Sequence, residues 1–156
     1  QSLKLFHKAK KNNILLYVDE VQSFLNKKII LKKHNFITRQ KQGSGNPKDL
    51  LFRFAYHDFY FLYEKVKRYK ISNIKVINIK DCLEFKIDFG NKTFFFHYNL
   101  NSKKKIHSFN SMNLITKKDV LSKMIKDVLN EKVDFKNNKN KSLFANKLID
   151  KIIKKI

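Results

Sequence analysis

The chain has 156 residues, 42% of them hydrophobic and with 15 Phe and 6 Tyr, which is ample for one packed domain and excludes wholesale disorder. Against 13 Asp and Glu stand 35 Lys and Arg, a net charge of +22 that makes a folded state repel itself unless a polyanion neutralises it. No apolar run reaches the roughly 18 residues of a membrane span, and the single Cys82 excludes an internal disulfide and any cysteine-built zinc site.

From residue 13 to 28, Ile14, Val18, Val21 and Leu25 recur at helical spacing and predict an amphipathic helix. Residues 29–38 read as a short strand interrupted by polar residues. Residues 39–48 hold two of the three Gly and the only Pro, and read as the one flexible, basic loop. A half-buried strand is expected over 50–55 and a helix over 58–69, with Asp58 as its N-cap and Phe59, Leu62, Tyr63 and Val66 facing inward. Period-two alternation predicts strands over 74–79 and 83–89. The second turns at Gly90-Asn91 into a partner over 93–100, which makes a hairpin. Lys103-Lys104-Lys105 reads as a basic connector, and residues 111–115 as a last strand. Thr116-Lys117-Lys118-Asp119 matches a helix N-terminal box, with Val120, Leu121, Met124, Ile125, Val128 and Leu129 as the stripe of the helix that follows. A polar linker over 136–141 and a Lys-flanked amphipathic helix over 142–156 end the chain. The fold class read from this order is α+β: an antiparallel sheet with helices packed on one side, over residues 1–135, followed by the linker and C-terminal amphipathic helix of 136–156.

Catalytic patterns are scarce. Glu84, Lys86 and Asp88 share the open face of one strand, which reads as a solvated polar face, although two carboxylates there could hold a metal. The five His show no metal-ligand spacing, so no metal and no cofactor are expected. His97, inside a Phe-rich strand, reads as a core or sheet-face residue. Gly43-Ser44-Gly45 lacks the Lys-Ser/Thr that completes a phosphate-cradling loop. Phe94, Phe96 and Tyr98 share one strand face and read as core, while Phe95 and His97 lie on the other. Only Arg39, Arg53 and Arg68 are arginines, and a surface dominated by Lys suits phosphate neutralisation more than the reading of bases, although AT-rich codon usage also favours Lys.

The order of segments resembles the large-subunit ribosomal protein family of the central protuberance that binds 5S rRNA, universal family five of the large subunit. Asn35-Phe36-Ile37-Thr38-Arg39-Gln40-Lys41 resembles the family's Thr-basic segment, and residues 52–66 its strand and helix. Gly90-Asn91 resembles its turn, and residues 112–135 its closing strand and helix. Tyr56 stands where the family has Gly, the basic loop is shorter, and the tail beyond residue 136 has no counterpart. The resemblance implies a non-enzymatic structural constituent of a mitochondrial or other organellar ribosome, with no small-molecule substrate. Its expected partners are rRNA, neighbouring ribosomal proteins and, through loop 39–48, the P-site tRNA. The residues expected on the RNA are Arg39, Lys41, Ser44, Lys48, Arg53, Lys65, Lys103, Lys104 and Lys105. The alternatives are another organellar ribosomal protein or RNA-binding assembly factor, a nuclease using Glu84 and Asp88, and a membrane-surface protein working through residues 142–156.

Overall fold

Alternation of large apolar with polar residues makes β3 (Leu83–Phe89) and β4 (Lys92–Asn99) two-faced, and a turn at Gly90, with φ of 58°, folds them together. In that hairpin Phe85 pairs with Phe96 and Glu84 with His97. The computed structural model describes residues 2–19, 21, 24, 28–46, 48–115 and 119–156. It adds β1 (His34–Gln42), β2 (Ile71–Asn78), β5 (Asn101–Phe109) and the two-residue β6 (Met112–Asn113) to form a six-stranded sheet of order β2-β3-β4-β1-β5-β6. All neighbours are antiparallel except β1 and β4, between which the ladder is parallel. Only the single residue Leu100 joins β4 to β5, and β1 is inserted between them.

One face of this sheet is covered. The helix α2 (Tyr56–Val66) lays Phe59, Leu62 and Val66 on it, and Phe59 meets Phe96 edge to face at 5.4 Å. The long C-terminal helix α4 (Phe135–Ile153) packs on α2 through Ala145, Leu148, Ile149 and Ile152, while Phe144 reaches Phe89. Phe85, Phe89, Phe94, Phe96 and Tyr98 form the aromatic centre of the core, each at most 2% exposed. Two further helices, α1 (Ser2–Lys11) and α3 (Val120–Leu129), lie nearer the periphery; Leu121, Ile125 and Leu129 of α3 are exposed. No helix among the described residues is long and apolar enough to cross a membrane.

The fold class is as expected: α+β, helices on one side of the sheet and a C-terminal helix. Several local expectations are corrected. Residues 14–19 are not helical; Leu25 of the expected stripe lies outside the described residues. Residues 50–55 are not a strand but helix, including a π-helical turn over Leu51–Ala55 that runs straight into α2. The π turn sets one extra residue into the helix. Leu51, Phe54 and Ala55 are thereby buried together, which a two-residue period cannot do. The 39–48 loop is half strand: Arg39 to Gln42 belong to β1, and the connection after them is pinned by Gly43 N–H donating to Leu100 O at 3.0 Å and Arg53 Nη1 donating to Ser44 O at 2.7 Å. Lys103, Lys104 and Lys105 are not a connector but lie in β5, exposed, within the irregular stretch between its Gln42–Asn101 and Gln40–Ile106 pairings with β1, and no apolar alternation marks them. Residues 136–141 are not a linker but the first turns of α4, capped by Asp134 accepting from Asn137 N–H at 2.8 Å, with Asn138 and Lys141 buried. Asp119 is the N-cap of α3, accepting from Ser122 N–H at 3.0 Å, while Thr116 to Lys118 lie outside the described residues.

Candidate functional site

Register places three polar side chains in one row on the covered face of the sheet. Arg39 of β1 is opposite Tyr98 of β4 on one side and His107 of β5 on the other. The first turn of α2 lowers Asp58 onto this row. Its Oδ2 accepts from Tyr98 Oη at 3.0 Å, and its Oδ1 accepts from His107 Nε2 at 3.0 Å and lies 3.1 Å from Arg39 Nη2. Asp58 is therefore not the N-cap expected of it; it is 1% exposed and joins four elements. Burial would raise its carboxyl, but the charge of Arg39 and the hydrogen bonds from His107 and Tyr98 outweigh that and hold it below the ordinary carboxylate range. Burial, and next the charge of Asp58, push the Tyr98 phenol well above its ordinary value, so it stays a donor.

Beside this network a basin of about 460 Å³ opens at the ends of β1 and β5. Arg39, Lys41, Arg53 and Lys105 line it, with His57 and His107, against Asp19, the one acidic residue of the lining among the described residues. Arg39 and Lys41 both approach the ring of Phe54, at 5.6 and 5.4 Å, so the aromatic face fixes two cations near the floor. Among the described residues Arg39 Nε has no hydrogen-bond acceptor, nor does His57 Nδ1 have a partner. Burial, reinforced by the charge of Arg39, lowers the His57 pKa below 6.5, so the imidazole is neutral near pH 7 and has a ring nitrogen to offer.

Four of the residues expected on RNA thus meet: Arg39, Lys41, Arg53 and Lys105. Five do not join them. Ser44 contributes only its carbonyl, to Arg53; Lys48, Lys65, Lys103 and Lys104 are exposed and outside the basin lining. Asp58, His57 and His107 were missed as a group, since they lie on α2 and β5 and converge only through sheet register.

On the opposite, uncovered face of the hairpin, His97 Nδ1 lies 2.8 Å from Glu84 Oε1 and His97 Nε2 lies 3.0 Å from Gln40 Nε2. Cys82 is buried one alternation before Glu84, and burial together with the charges of Glu84 and Asp81 pushes its thiol up, so it is no ready nucleophile.

No protein-family model matches the chain, and no curated protein does. Among solved structures it resembles two crystal forms of UDP-N-acetylglucosamine 3-dehydrogenase GnnA from Acidithiobacillus ferrooxidans, each at a TM-score of 0.66 and 10% identity, over 94% of this chain. The chain spans 64% of the length of that enzyme. The likeness is one of fold, and nothing in it indicates a ribosomal protein. It overturns the resemblance to the 5S-binding family and, with it, the ribosomal and rRNA-binding role, the ribosomal, rRNA and tRNA partners, and the expectation of a non-enzyme without a small-molecule substrate. The physical reason lies in the element order on which that resemblance stood: its strand at 50–55 is helix, and the first part of its basic loop, Arg39 to Gln42, is strand. Nor does the charge mark one polyanion-binding strip, since exposed Lys occur on α1, α2, α3, α4, β2 and β5 alike.

The residues of the Gly-containing loop do not make a dinucleotide site. Gly43-Ser44-Gly45-Asn46-Pro47-Lys48 lacks the third Gly of the dinucleotide fingerprint. The space beside Gly45 is filled by Arg53 Nη1, 3.2 Å from where a Cβ would stand, and β2, which follows α2, is separated from β1 by β3 and β4.

Proposed function

We propose that this chain is the substrate-holding part of an enzyme that acts on a phosphorylated, sugar-type small molecule, with a sugar nucleotide as the first ligand to test. The observation that carries this reading is the basin itself: two of the chain's three arginines and two lysines converge on one concave site beside a buried carboxylate network. Arg guanidinium matches phosphate oxygens in a two-pronged geometry, and low-dielectric walls strengthen each such contact. A volume of about 460 Å³ is that of a small-molecule cavity. The sugar-nucleotide class is supported by the fold shared with a UDP-N-acetylglucosamine dehydrogenase. In this reading Arg53, Lys41 and Lys105 hold the phosphate, Arg39 supplies charge from beneath, and neutral His57 is the group able to accept a proton from a bound hydroxyl.

Titration calorimetry of the whole chain with UDP-N-acetylglucosamine, UDP and N-acetylglucosamine tests it. Both phosphorylated ligands are expected to bind, with affinity falling as salt rises, and the neutral sugar to bind much more weakly. Lys41→Glu with Lys105→Glu should weaken UDP binding by at least tenfold, since both lysines line the basin and neither belongs to the hydrophobic core. Equal affinity for the neutral sugar, or UDP binding untouched by the double variant, would overturn the reading.

A further inference from the structure

The hairpin register that buries Phe85 and Phe96 also assembles a second set of chemistry on the other side of the sheet. Glu84 is paired with His97 on β4, and Cys82 lies in the bend just before β3. Cys82 Sγ, a Glu84 carboxylate oxygen and a His97 ring nitrogen all lie within 4.8 Å of one another. These are one soft, one borderline and one hard donor, a combination that suits zinc and cobalt(II) and not magnesium or calcium. The surroundings add what a metal site needs beyond its ligands. Gln40 of β1 holds the far nitrogen of the His97 ring at 3.0 Å, and Asn78 Nδ2 donates to Cys82 Sγ at 3.4 Å. Outer partners of this kind orient a ligating imidazole and stabilise a thiolate.

We propose that Cys82, Glu84 and His97 form a three-ligand site for a zinc-type divalent cation, positioned by Gln40 and Asn78. Donor atoms around a tetrahedral zinc stand roughly 3–4 Å apart, so on binding the Glu84–His97 pair, now 2.8 Å apart, opens slightly to admit the cation beside the Cys82 sulfur. The cation takes the place of the Nδ1 proton that His97 now directs at Glu84; that proton passes to Nε2, where Gln40 turns its amide so that Oε1 accepts it, and the Cys82 thiol releases its own proton as the sulfur coordinates. A fourth position stays open toward the uncovered face, the arrangement of zinc sites that bind water or substrate. None of Cys82, Glu84 and His97 lines the anion basin, so the two sites can fail separately, although Gln40 borders both.

Cobalt(II) added to the metal-stripped whole chain provides the test. One equivalent should give a thiolate-to-cobalt charge-transfer band and four-coordinate visible bands, which one equivalent of zinc abolishes. Cys82→Ser should remove the charge-transfer band. Gln40→Ala should leave it in place but weaken affinity roughly 10–100-fold, the usual effect of losing an outer partner. His97→Ala, on the half-exposed face, covers the case in which Cys82→Ser does not fold, and should also weaken binding by more than that amount. The proposal fails if no charge-transfer band forms, if the band survives Cys82→Ser, if affinity is unchanged in folded His97→Ala, or if magnesium competes at equal concentration.

Discussion

The two faces of the same strands solve the problem of polar groups in different ways. On the covered face, Arg39, Tyr98 and His107 meet Asp58 under α2, and the carboxylate is 1% exposed. On the uncovered face, Glu84 and His97 meet with a third of each side chain still in contact with solvent. A charge that cannot reach water must be compensated by fixed partners, so every member of the Asp58 cluster constrains the others. Partial solvation relaxes that requirement, so the open-face pair can exchange a proton for a cation without endangering the fold. Stability is concentrated on one face and adaptable ligand chemistry on the other.

The largest effect that could break this contrast is expected from Asp58→Asn. It leaves the Arg39 charge buried without its counter-charge and turns one of the two acceptor oxygens into a donor, so that Tyr98 and His107 cannot both be met, which should cost about 3–5 kcal/mol in chemical denaturation. The wild-type pH profile carries the same signature. The folded carboxyl lies below its ordinary value of 3.8, so its contribution is fully present above that value and is lost as pH falls through the folded one. Asp58→Asn should flatten that acid limb; an unaltered limb would mean that other carboxylates produce it. Next in size is Tyr98→Phe, which keeps the ring packed on Phe85 and Phe54 and removes only the hydroxyl given to Asp58. Leaving one acceptor of a buried carboxylate unmet should cost about 1–3 kcal/mol. A loss below the Asp58→Asn value shows that Tyr98 is one of several partners, whereas an equal loss would make it the keystone.

How much of this was readable from the residues follows from the range of the pairings. Phe85, Phe96 and Tyr98 announce a buried face by their alternation, and Gly90-Asn91 fixes the hairpin, so the pairing of Glu84 with His97 follows from counting outward from the turn. Cys82, in the bend just before β3, stands beside that pair, a placement that neither strand counting nor metal-ligand spacing along the chain reveals. The Asp58 cluster was not legible. It depends on β1 inserting between β4 and β5, and no local signal specifies a parallel ladder between residues about 60 apart. The helix at 50–55 was misread because Leu51, Phe52, Arg53 and Phe54 satisfy a period of two as well as a period of four once a π turn adds a residue.

The smallest expected effect isolates the face from everything else. Phe95 and Phe96 are neighbours in β4, of identical chemistry and nearly identical backbone, and differ only in direction. Phe96 is 2% exposed, stacked on Phe85 at 4.6 Å and met by Phe59; Phe96→Ala empties the centre of the core and should cost about 3–5 kcal/mol. Phe95 stacks on Phe36 at 5.1 Å with ring planes 12° apart, but Phe36 is 54% exposed and nothing described covers the pair. Removing that ring sacrifices its contacts with Phe36 and His34 and little buried area, so Phe95→Ala should cost only about 0.5–1.5 kcal/mol. Equilibrium urea unfolding of the two variants side by side decides the matter. If Phe95→Ala were as destabilising as Phe96→Ala, the uncovered face would have to be packed against something in the folded protein, and the separation of a stabilising face from an adaptable one would fall.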